Sequence, residues 1–68
     1  MNKKEQIEIS CLISLIQSDI NIHENLLKDY EIKAKDSIYY FGLSQEKKDR
    51  IIYLKSYLTK LKKIYKEQ

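Results

Sequence analysis

The 68-residue chain contains no proline, no tryptophan and no valine, and a single glycine, Gly42. With so few helix breakers, little interrupts a regular helix. The lone cysteine, Cys11, cannot form an internal disulfide, which excludes a disulfide scaffold and makes the cytoplasm the expected compartment. Arg50 is the only arginine beside twelve lysines, so the guanidinium forks that match phosphate oxygens are scarce. No apolar run approaches the roughly 18–20 residues that cross a bilayer. The opening Met-Asn-Lys-Lys-Glu-Gln leads into apolar residues broken by Glu8 and Ser10, a poor signal peptide. Also missing are a glycine-rich phosphate loop, a Ser/His/Asp set and a convergent pair of carboxylates. The expectation is a small protein that is not an enzyme and holds neither cofactor nor metal.

What is present is a helical repeat. Ile9, Ile13, Ile16, Ile20, His23, Leu27, Tyr30 and Ala34 follow one another at alternating steps of four and three, a heptad seam. Leu12, Leu15, Ile22 and Leu26 form a second stripe beside it. In the C-terminal half Ile51, Leu54, Leu58, Leu61 and Tyr65 repeat the pattern, and Tyr53, Tyr57 and Ile64 widen it on one side. These faces are broader than a two-stranded coiled coil needs, which favours a helical bundle.

Charge divides along the chain. Residues 1–43 hold five lysines against seven acids, and residues 44–68 hold seven lysines and Arg50 against three acids. Halves of opposite sign attract, and an antiparallel hairpin satisfies that attraction internally. The only glycine lies in Phe41-Gly42-Leu43-Ser44. Gly42 suits a left-handed helix stop and Ser44 a following N-cap. The expected architecture is therefore a single all-α domain, residues 1–68: helix 3–40, turn 41–44 and helix 45–66, as an antiparallel hairpin with a long first helix. Asn21 with Glu24 resembles a capping box, so a kink or break near residues 18–22 is the alternative to one continuous helix. Unbroken, the first helix would be roughly 55 Å long and the second roughly 33 Å. The overhang would leave apolar residues among 7–16 uncovered, and assembly into a dimeric helical bundle would cover them.

Candidate sites follow from this layout. Tyr39, Tyr40 and Phe41 are consecutive aromatics that cannot all face one side of a helix. With Leu12, Leu15 and Ile16 they form the expected partner-binding set. The partners expected are a second copy and a larger protein target, and the role a regulatory or inhibitory one. Lys48, Lys55, Lys62 and Lys66 line one seam of the second helix and are the candidate phosphate contacts of the alternative reading, a nucleic-acid accessory protein. His23 reads as a polar residue within a seam, with Asp19 one turn back, and Cys11 as an inert core thiol among Ile and Leu.

Overall fold

The computed structural model describes residues 2–66. Two helices, α1 (Lys3–Lys33) and α2 (Ile38–Lys66), pack against each other as an antiparallel hairpin, 52 Å long and 14 × 12 Å across. Asn2 caps α1: its side-chain oxygen accepts from the Glu5 backbone N–H at 2.8 Å. Its amide in turn donates to the Glu5 carboxylate at 2.9 Å. Such reciprocal capping satisfies donors that no helical turn can reach. Lys33 stands in the last turn of α1 and Lys63 and Lys66 in that of α2, where a helix C-terminus favours positive charge.

The first helix is continuous through residues 18–22, and Ile20 within that stretch is only 1% exposed. Burying an isoleucine fully contributes about 1.5–3 kcal/mol, more than the few tenths lost by each weak helix former around it. Asn21 and Glu24 do not start a new helix.

The reversal falls at residues 34–37, not at the expected 41–44. The Ala34 N–H donates to the Tyr30 carbonyl at 2.8 Å and the Asp36 N–H to that of Lys33 at 3.2 Å. The Ser37 carbonyl then accepts from the Phe41 N–H at 3.1 Å, which opens α2. Gly42 is an ordinary helical residue with no positive φ. Ser44, expected as a cap, is buried in mid-helix and donates its hydroxyl to the Phe41 carbonyl at 2.7 Å. Magnitudes explain the choice. A glycine inside a helix costs about 1 kcal/mol relative to alanine. A turn at Gly42 would leave Ile9, Ile13 and Ile16 bare, at about 1.5–3 kcal/mol each. Turning at 34–37 makes helices of 31 and 29 residues, so the expected overhang is gone and those three isoleucines lie half-buried.

Every residue of the α1 seam from Ile9 to Ala34 is buried or half-buried. On α2 the facing seam runs Ser37, Tyr40, Ser44, Lys47, Ile51, Leu54, Leu58 and Leu61, again at steps of three and four. Ile20, Leu54 and Leu58 form the packed centre, with Ile13 and Ile16 against it. Toward the turn the seam becomes polar. There Tyr30 meets Tyr40 with ring centroids 5.8 Å apart, and His23 and Lys47 are half-buried.

Candidate functional site

Two helices can shield only one stripe of each other, so the hairpin keeps two long flanks. The antiparallel register decides which residues share them. Tyr30 lies against Tyr40, and Gln6 shares a shallow groove with Tyr65, so residues at one level have numbers that add to about 70. Another groove near the turn joins Glu31 of α1 and Lys35 of the turn to Phe41, Gln45 and Lys48 of α2. These residues precede or follow the seam positions on the same side of each helix, which identifies one flank. The opposite flank takes the remaining neighbours of the seam.

That opposite flank is apolar over most of its length. From α1 it takes Leu12, Leu15, Ile22 and Leu26, and from α2 Leu43, Tyr53, Tyr57 and Ile64. Leu15 is 66% exposed, Tyr53 62% and Ile22 56%, while Leu26 and Leu43 are half-buried. Exposed apolar side chains scattered singly need no explanation, whereas side chains aligned over several helical turns mark a contact surface. Charges are interspersed by helix. Glu5, Glu8, Asp19 and Asp29 stand on the α1 edge, with Lys33 paired to Asp29, and Arg50 and Lys60 on the α2 edge together with Glu46. Glu8 is level with Lys60, and Asp19 with Arg50.

The expected partner-binding residues divide between these surfaces. Leu12, Leu15 and Tyr39 belong to the apolar flank. Ile16 lies inside the interhelical seam instead, half-buried against the Ile20 cluster. Tyr40 also turns inward, between Tyr30 and the edge of Tyr39, whose ring centroid is 5.3 Å away. Phe41 is 56% exposed on the other flank. The three aromatics thus point to three sides of the first turn of α2, as their consecutive positions require.

Beside them, Lys33 and Asp29 form an ion pair at 3.1 Å, with the Lys33 ammonium 5.1 Å from the Tyr40 ring centre. The hydrogen bond that Lys33 donates to Asp29, and the charge of that carboxylate, hold the Lys33 pKa above the usual lysine value.

Lys48, Lys55, Lys62 and Lys66 are all exposed on the polar flank. Lys62 and Lys66 edge a shallow groove with Lys63 and Thr59. The Thr59 hydroxyl donates to the Lys55 carbonyl at 3.0 Å, so its proton is already committed within the helix. Of the facing positions of α1, Ser14, Gln17 and Asn21 carry no charge.

His23 sits in the seam with its Nε2 3.7 Å from an Asp19 carboxylate oxygen, and its Nδ1 is buried without a partner. Among the described residues no group of three His, Cys, Asp or Glu side chains is placed to hold a metal ion. Cys11 departs from its expected place in the core. It is exposed on the outer side of α1, because the seam passes through Ile9 and Ile13 and leaves position 11 facing away.

The stripe Leu12, Leu15, Ile22, Leu26 is legible from residue spacing alone, as is the widening by Tyr53, Tyr57 and Ile64. What spacing did not reveal is that both stripes meet on one flank, since that depends on where the chain turns. Among the described residues no helix is long and apolar enough to cross a membrane. Protein-family models, curated proteins and solved structures give no match to this chain.

Proposed function

We propose that the protein is a small cytoplasmic interaction module, without catalysis, that docks on a larger protein target and regulates or inhibits it. The observation that carries this reading is the apolar flank of Leu12, Leu15, Ile22, Tyr53 and Tyr57, aligned along roughly 15 Å of both helices. Water-exposed leucine and isoleucine at helical spacing suit a partner helix laid alongside, read by side chains three and four residues apart. Tyrosines with wet hydroxyls are favoured anchors at such contacts. The seam already absorbs the side chains that would be needed to wall a substrate cavity.

A second reading rests on a different surface. Four exposed lysines along the polar flank of α2 suit a run of phosphates in a nucleic acid. The shortage of arginine and the internal bond of Thr59 weigh against it.

Paired variants separate the two. Tyr53→Ala with Leu15→Ala should abolish capture of the target from host extract, while Lys55→Gln with Lys62→Gln should leave it intact. If nucleic acid is the partner, the lysine pair should instead lower the slope of affinity against salt by nearly two units. A mobility shift of short duplexes at about 150 mM salt that depends on Lys55 and Lys62 would replace the first reading with the second.

A further inference from the structure

We infer that the apolar flank is covered by a second copy of this chain, in a four-helix bundle whose two-fold axis runs parallel to the helices, so that both turns lie at the same end. The inference rests on the flank being a protein-docking face and names its occupant.

Three observations select a second copy. The first is area. The chain exposes 5311 Å², whereas a compact folded monomer of this mass exposes roughly 4,500 Å². The excess of about 800 Å² is the surface that each partner contributes to a stable interface of standard size. The second is charge. On this flank the α1 edge is acidic at Glu8 and Asp19, and the α2 edge is basic at Lys60 and Arg50. A face with an acidic edge and a basic edge at matching levels complements itself, provided that α1 of one copy lies along α2 of the other. A two-fold axis parallel to the helices produces that arrangement. Asp19 then has an arginine on either side, its own chain's and the partner copy's, and charges alternate around the bundle. A head-to-tail pair would instead set α1 against α1 and bring the two Asp19 carboxylates together. The third is level. In the parallel arrangement Leu12 meets the level of Tyr57, Leu15 that of Tyr53 and Leu26 that of Leu43, so apolar layers face apolar layers. Neighbouring helices are antiparallel throughout, as in up-and-down bundles.

The arrangement also gathers the two turns. Ile38, 91% exposed, and Tyr39, 69% exposed, would appear twice at one end of the bundle. That doubled aromatic end remains open to a larger target after the flank is covered.

Sedimentation equilibrium of the purified chain at micromolar concentration should give about twice 8.2 kDa. Arg50→Glu makes the central ring wholly acidic, and Asp19→Arg makes it wholly basic. Each variant alone should dimerise at least roughly tenfold more weakly, because like charges then face each other. An equimolar mixture of the two should recover a heterodimer of wild-type strength. Arg50 is exposed and Asp19 half-buried beside His23, and an unchanged helical circular dichroism signal confirms that each variant is folded. Spin labels on Lys35→Cys, with Cys11→Ser to remove the native thiol, should lie roughly 15–25 Å apart across the bundle. A monomer that melts cooperatively overturns the inference. So does a mixture that fails to recover, or a label separation near the 52 Å length of the hairpin. A monomeric result leaves the flank free for the larger target and the docking reading standing, and that reading then fails separately if Tyr53→Ala with Leu15→Ala in the monomer does not affect capture of the target.

Discussion

Gly42 and Ser44 show how local chemistry yields to burial. Both carry strong punctuation signals, and both lie inside α2. A methyl group added at Gly42 would meet no atom within 4 Å. Gly42→Ala should therefore raise stability by about 0.5–1 kcal/mol, by lowering the entropy of the unfolded chain. A urea titration checks this, and a loss of stability would mean that the helix does not pass through residue 42. His23 is the converse case, a polar group kept in a seam that would accept an aliphatic one. Its Nδ1 is buried and bonds to nothing in the hairpin. His23→Leu should keep or raise the melting temperature, since an unsatisfied buried polar atom is costly. A fall of several degrees would show that the imidazole has a stabilising partner. Lys33 sets a pH dependence. Its folded pKa is raised by Asp29, so what the pair contributes is fully present below the unfolded value of 10.5 and is lost as pH rises through the folded value. The pair is exposed, so the effect near neutrality is small. Stability measured through the alkaline range should fall more steeply for the wild type than for Lys33→Gln, and identical profiles would remove the pair from the account.

At the scale of the element, the seam positions and the flank positions differ in what they support. Ile20→Ala removes three buried carbons from the packed centre and should cost about 2–4 kcal/mol. Ile16→Asp should be worse, because it buries a charge with no partner. Ser14→Asp, two residues earlier on an exposed face, should stay within about 0.5 kcal/mol of wild type. Thermal melts of the three variants check the order, and a mild Ile16→Asp would contradict its half-buried place. The α1 seam is legible in the sequence from Ile9 to Ala34, because isoleucine and leucine mark five of its eight positions at unbroken heptad spacing. The α2 seam is legible only from Ile51 onward. Its first half is Ser37, Tyr40, Ser44 and Lys47, which periodicity arguments read as surface or cap. That polar stretch moved the expected turn seven residues too late. It also hid the pairing of flanks, which follows from the true turn by simple counting. Leu12 and Leu15 were readable as an apolar stripe beside the seam for the reason that applies to the seam, while Ile16 and Tyr40 were drawn inward by the register.

For the whole molecule, the decisive feature is that the apolar layers lie far from the turn. Between the reversal and the packed centre the seam holds Ala34, Tyr30, Leu27 and His23 on one side and Ser37, Tyr40, Ser44 and Lys47 on the other, and the fully buried aliphatics begin at Ile20 and Ile51. The hairpin is therefore not expected to zip up from its bend. The first strong attraction must close a loop of about thirty residues, and the entropy of closing a loop grows only with the logarithm of its length. Lengthening the connection from, say, thirty to thirty-six residues should cost roughly 0.2 kcal/mol. Six glycine and serine residues inserted between Lys35 and Asp36 should leave the melting temperature almost unchanged and slow folding only slightly. A large loss on insertion would place the folding nucleus at the bend. Tolerance would instead mean that the connection serves as a tether. Two separate peptides covering residues 2–34 and 36–66 should then find each other in solution at sufficient concentration, with the bend supplying only effective concentration.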